Sequence, residues 1–148
     1  MRRVSSVLAA TALLLLTSRA IPGKGKTGLD EEGFITTWLL LAPGKVTEDS
    51  VAYAVCYIHT DAALPDIQLR TGSDDQAVVY LNGKQVLKQT EDRELTKDDD
   101  ITDVSLQKGV NVLVFKVVNE KEDWSGCARF TDKNGQVIKK LKVTSAPE

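Results

Sequence analysis

The chain has 148 residues, too few for more than one ordinary domain. It carries 19 lysines and arginines against 21 aspartates and glutamates, a net charge of −2, and so lacks the basic field that nucleic-acid or anionic-membrane binding draws on. No P-loop, dinucleotide fingerprint, HExxH helix, CxxC pair or Cys/His metal spacing occurs, which removes the readiest catalytic and metal-binding classes.

Residues 1–20 read as an export signal. Arg2 and Arg3 form a basic start, Val7 to Leu16 is apolar apart from Thr11, and Ser18-Arg19-Ala20 offers small residues where an export peptidase reads them. The apolar run is about 10 residues, where a membrane-spanning helix needs about 20. No cysteine follows it to carry a lipid. The expectation is a secreted, periplasmic or cell-envelope protein with no membrane span after cleavage. Removing residues 1–20 takes away three arginines and no acid, leaving a net charge of −5. Residues 21–33 (IPGKGKTGLDEEG) read as a flexible leader.

From Phe34 onward the apolar runs are short and punctuated by turn residues. Ile35 to Ala42 stops at Pro43-Gly44. Val51 to Ile58 is apolar on both alternating faces, which suits a central strand. Ile67, Leu69 and Thr71 alternate with Gln68 and Arg70. Ala77 to Leu81 runs into Asn82-Gly83 and resumes at Val86-Leu87, a hairpin signal, because Asn and Gly tolerate the positive φ angles of a type I′ turn. Leu95 to Asp103 is too acidic and broken for a helix. Val110 to Val118 puts Leu113, Phe115 and Val117 on one face. Cys127 to Thr131 leads into a second hairpin signal at Asn134-Gly135, then Gln136 to Val143 and a tail at 144–148. About eight strands separated by frequent turns predict an all-β antiparallel sandwich of the jelly-roll type over residues 34–143. Lys139, Lys140 and Lys142 read as the lysines of a protected edge strand.

The segment Thr71 to Val86, TGSDDQAVVYLNGKQV, resembles the strand and hairpin of galactose-binding-like jelly-roll modules of exported bacterial proteins and glycoside hydrolases. Trp38 to Pro43 (WLLLAP), Val51 to Ala54 (VAYA), Leu106 to Leu113 (LQKGVNVL, read as a hairpin) and Trp124 to Asp132 (WSGCARFTD) are similar to further segments of that family in the same order. Ala42 stands where the family has Gly, Gly44 where Phe is common, and the stretch from Pro43 to Val51 is shorter than usual. The resemblance implies a non-catalytic module with carbohydrate as its ligand class. A structural or protein-interaction module with an envelope or extracellular partner is the rival reading.

Candidate ligand-binding residues are Arg70, Asp74, Asp75, Tyr80 and Trp124. A sugar ring has an apolar face and a hydroxyl rim, so it wants an exposed aromatic ring among polar groups; Trp124 lies in a polar loop and Tyr80 faces away from Val79 and Leu81. Trp38 sits in a dense apolar run and reads as core. Gly72 to Asp75 also reads as a plain turn, with Arg70 pairing to Asp74 or Asp75. Together with Asp98, Asp99 and Asp100, these acids supply oxygens of the kind a structural calcium takes. Adjacent residues on a strand point to opposite faces, so Asp74 and Asp75 make a poor catalytic acid/base pair, and His59, the single histidine, has no nucleophile motif beside it. The chain reads as no enzyme. Cys56 and Cys127 are the two cysteines: a disulfide suits an exported protein, and free burial suits their apolar strand positions.

Overall fold

The computed structural model describes residues 16–21, 26–43, 50–119 and 125–148. These form two antiparallel sheets packed as a sandwich, with no helix among the described residues. The strands are β1 (Leu16–Ile21), β2 (Trp38–Pro43), β3 (Ser50–Thr60), β4 (Leu64–Ser73) and β5 (Gln76–Leu81). They continue as β6 (Lys84–Gln89), β7 (Asp100–Leu106), β8 (Gly109–Asn119), β9 (Gly126–Thr131) and β10 (Lys142–Thr144). The larger sheet runs β1-β2-β3-β8-β5-β6, with β10 also on β3; the smaller runs β7-β4-β9.

β3 and β8 are the spine of the larger sheet, paired without a slip from Ser50↔Asn119 to Thr60↔Gly109. On its other side β3 meets β2 at Tyr53 to Val55 and β10 at Tyr57 to His59, so two short strands lie end to end along one long one. His59 Nε2 and Thr144 Oγ1, 2.9 Å apart, tie β10 in place.

The two-residue period of a strand decides the core. Cys56 and Ile58 of β3, Leu113, Phe115 and Val117 of β8, and Ala77, Val79 and Leu81 of β5 point inward. Across the gap they meet Ile67 and Leu69 of β4, Leu106 of β7, and Ala128 and Phe130 of β9. The free edge of β9 is shielded by Ile35, whose N–H donates to the Ala128 carbonyl at 2.9 Å, and by Ile138, whose N–H donates to the Phe130 carbonyl at 3.0 Å.

Several expectations need correction. No helix forms over Leu95 to Asp103, as expected, but β7 begins there, a strand not among those read from the sequence; its residues alternate because it is an edge strand with one face to solvent, and Ile101 is 51% exposed. Leu106 to Leu113 is no hairpin: β7 pairs with β4 and β8 with β3 and β5, so the chain crosses between sheets there. Asn82 and Gly83 do take positive φ, 51° and 79°, between paired Leu81 and Lys84. At the second signal only Gly135 does, at 81°, and the returning chain makes one bridge, Thr131↔Val137, before leaving to become β10 on the opposite sheet.

Both cysteines are free thiols. Cys56 is in phase with Ile58 and fully buried between the sheets, where desolvation pushes its thiol pKa far up. Cys127 is out of phase with Ala128 and Phe130, so it points to the outer face of the smaller sheet, beside Gly72. Cys56 reaches inward from the larger sheet and Cys127 outward from the smaller one, so the smaller sheet stands between the two thiols and they cannot be bridged.

Residues 16–20 of the expected export signal lie in β1, whose hydrogen-bonded neighbour is β2. Residues 26–33 of the expected leader make a tight reversal, with the Thr36 N–H donating to the Gly28 carbonyl and the Phe34 N–H to Asp30 Oδ1 at 2.8 Å.

Candidate functional site

The residues singled out in the sequence do not converge. Gly72 to Asp75 is the turn from β4 to β5, and hydrogen bonds hold it from every side. The Asp74 N–H donates to the Ser125 carbonyl at 2.9 Å, the Asp75 N–H to the Arg93 carbonyl at 2.8 Å, and Ser73 Oγ to the Asp75 carbonyl at 3.0 Å. Asp75 is buried, with φ at 58°, a conformation Asp tolerates better than most residues. The chain following β6 folds over this turn. A Cβ on Gly72 would collide with the Thr96 carbonyl, so only glycine lets that segment lie so close to β4.

Arginines then fasten the covering segment. Arg93 donates to Ser73 Oγ at 3.0 Å, to Asp99 Oδ2 at 2.7 Å and to Asp100. Arg129 on β9 grips Asp98 through two nitrogens and lies over the Phe34 ring, 4.7 Å from its centroid. Arg70 donates to Thr131 Oγ1 at 2.9 Å and Gln68 Oε1 at 3.0 Å, with Asp98 as its ionic partner at 3.8 Å, in place of the expected Asp74 or Asp75. Asp98, Asp99 and Asp100 thus face guanidinium groups. Among the described residues no three His, Cys, Asp or Glu gather as a metal site.

Tyr80 lies on the other side of the molecule. It projects from β5 to the outer face of the larger sheet, opposite Val114 of β8. Tyr53 and Tyr57 of β3 share that face, so all three tyrosines of the chain stand on it around Val55 and Val114. Tyr53 is 37% exposed and has the Lys116 ammonium 5.9 Å from its ring centroid. Trp124 lies outside the described residues.

A concave polar site opens elsewhere, at the edge of the sandwich between the β5–β6 hairpin and β7. It is an open cleft of about 610 Å³. Pro65, Leu81, Val86 and Val104 form its apolar part; Asp66, Lys84, Asp103, Ser105 and Lys133 are its polar groups, with Asn82 at the hairpin tip. Asp66 sits at the irregularity between Leu64 and Ile67, where φ reaches 53° and the strand bends. Lys133 lies 2.7 Å from Asp103, and Gln68 Nε2 donates to the same oxygen at 3.4 Å; these two contacts, the lysine's first, hold the Asp103 carboxyl below the usual range.

Two asparagines tie the hairpin wall to β8. Asn111 occupies an inward position of β8, in phase with Leu113 and Phe115, and is fully buried. Its amide donates to the Gln107 carbonyl at 2.8 Å, and its oxygen accepts from the Gln107 N–H at 3.0 Å and from Asn82 Nδ2 at 2.8 Å. Asn82 Oδ1 accepts from the Val112 N–H at 2.8 Å. A lone Asn in an apolar phase is the signal that could have found it, since a buried amide must be satisfied. Asp66, Lys84, Asp103 and Ser105 carried no such signal, because they are scattered along three strands and their turns.

No protein-family model and no curated protein matches the chain. Among solved structures it is similar to part of the β-glucosidase from Kluyveromyces marxianus in complex with glucose. The identity is 11% and the TM-score 0.38, over 87% of this chain and 13% of that one. The chain is an all-β sandwich with a distant likeness to part of a glycoside hydrolase.

Proposed function

We propose that the chain is an exported, non-catalytic module that binds carbohydrate in the cleft between the β5–β6 hairpin and β7. One observation carries this reading: the cleft sets apolar surface from Leu81, Val86 and Val104 beside carboxylate, ammonium and hydroxyl groups. A sugar ring presents the complement, C–H bonds on its faces and hydroxyls at its rim. Hydroxyls both donate and accept, so Asp66 and Asp103 can accept from them while Lys84 and Ser105 donate. The cleft volume falls in the range of small-molecule sites, about 300–1,000 Å³. Two carboxylates line it, but glycoside hydrolysis needs one carboxyl kept protonated by a raised pKa, and Lys133 acts on Asp103 in the opposite sense.

A second reading is favoured by the three tyrosines on the larger sheet. A face of tyrosines and valines with Lys116 beside them suits packing against an envelope or extracellular protein. A glycan array probed with the purified protein separates the two. Carbohydrate binding lost in Lys84→Ala/Asp103→Ala, with the strand circular dichroism unchanged, supports the cleft. Binding lost in Tyr80→Ala instead moves the sugar to the tyrosine face. A folded protein that binds no glycan overturns the carbohydrate reading and leaves protein interaction.

A further inference from the structure

The inward residues of both sheets shrink toward one end of the sandwich. Along β3 the inward series runs Thr60, Ile58, Cys56, Ala54, Ala52. Along β9 it runs Phe130, Ala128, Gly126. The large ends of the two series belong to the packed core, and the small ends leave a cleft of about 210 Å³ between the sheets. Its walls are Trp38 and Leu40 of β2, Ala52 and Ala54 of β3, and Phe115 and Val117 of β8.

Two rings frame this space. Trp38 and Phe115 stand with centroids 6.4 Å apart and planes inclined at 54°. The Trp38 indole N–H donates to the Ile35 carbonyl at 3.1 Å, so its polar atom is already engaged. Phe115 is seated against Gly126, where a Cβ would come within 2.7 Å of its ring. Ser125 also borders the space, and among the described residues no charged side chain lines it. The Cys127 side chain points to the other face of its sheet, so what Cys127 contributes here is backbone.

We propose that this cleft is a second binding site, distinct from the polar cleft, for a small uncharged hydrophobic group the size of one aromatic ring or a short alkyl chain. Size and polarity both select that occupant. An apolar cavity of about 150 Å³ stays dry and takes benzene, because water there lacks the two to four partners it needs. A volume of 210 Å³ admits such a ring and is too small for most drug-sized ligands. No described residue gives the cleft a charged wall, which disfavours an ionised ligand, since it would lose its hydration without a counter-charge.

Benzene is the probe, titrated into the full-length protein and followed by methyl NMR and by thermal unfolding. Saturable shifts of the Ala52, Ala54 and Val117 methyls, with a rise in Tm, are expected. Ala54→Leu fills the space, so it should raise the Tm of the ligand-free protein and abolish the response to benzene. Ala52→Val serves the same purpose with a smaller side chain, should the leucine prevent folding. Unmoved methyls at saturating benzene overturn the proposal. So does a benzene response that persists in a folded filled variant, or contact between the Ala54 methyl and another side chain of the same protein that already occupies the space.

Discussion

The outer faces of the two sheets are built on opposite principles. On the smaller sheet Arg70 and Arg129 stand side by side on β4 and β9, and Asp98 from the covering segment answers both. Like charges on neighbouring strands repel, so that face holds only while the carboxylate is present. On the larger sheet the outward positions carry Tyr53, Tyr57 and Tyr80 around Val55 and Val114, and cohesion comes from apolar contact between strands. The first face is consumed in holding the covering segment over β4. Over the second, no such ionic clasp stands among the described residues.

The largest effect that tests this contrast comes from Asp98→Ala. It removes the partner of a largely buried Arg129 guanidinium, whose side chain is 19% exposed, and leaves it beside Arg70. A loss of about 2 kcal/mol is expected from urea unfolding, between the cost of an unsatisfied polar group and that of a broken buried pair. In Arg129→Ala/Asp98→Ala part of that loss should vanish, because only Arg70, still donating to Thr131 and Gln68, is left without its carboxylate. Equal losses in both proteins would show that the pair contributes no coupling.

The cysteines give the next test, one thiol on an inner face and one on an outer face. Cys56→Ser puts a hydroxyl between the sheets and should cost about 1–3 kcal/mol. Cys127→Ser places it where Cys127 is only half-buried and should cost less than half as much. The intact protein should show two thiols after unfolding without reductant. A mass lower by two hydrogens, with a mixed-phase pair bridged, would contradict the placement of these strands.

That test bears on how much the sequence disclosed. β3 was readable as a central strand because Val51 to Ile58 is apolar on both faces, β8 because Leu113, Phe115 and Val117 share one face, and the Asn82-Gly83 turn because only a few residues tolerate two consecutive positive φ angles. Membership of opposite sheets was not. Leu106 and Gly109 are close in the chain, yet the two strands they bound pair with different partners, and no local pattern records which partner lies across a gap. The same blindness hides the cysteine phases: parity says that Cys127 is out of step with Phe130, but not which of the two faces the other sheet. For the candidate site the loss was greater. Arg70, Asp75 and Tyr80 are neighbours in sequence and end up on an outer face, in a buried turn and on the far sheet, while the polar cleft gathers groups that the chain separates by as many as 67 positions, from Asp66 to Lys133.

Tyr80→Ser probes the larger sheet's outer face. If that face is open for binding, losing one half-buried ring should cost no more than about 1 kcal/mol, the value of a cross-strand pair. A loss of several kcal/mol would mean that the tyrosines hold the sheet together and are not held in reserve for a partner.

The smallest effect lies at the rim of the polar cleft, where Lys133 and Asp103 meet in solvent. The pair lowers the Asp103 pKa, so its contribution is present above the unfolded-state value and fades as pH falls through the lower folded-state value. Both side chains are well exposed, so salt screens the attraction and the global stability should scarcely register it. The carboxyl carbon shift of Asp103 is the sensitive readout: its titration midpoint should lie below that of an ordinary aspartate, and Lys133→Met should move it upward, though not fully, because the Gln68 amide remains. An unchanged midpoint in Lys133→Met would remove the ion pair from the cleft. Asp103 would still be ionised at neutral pH like any surface aspartate, so its capacity to accept from a sugar hydroxyl does not rest on Lys133.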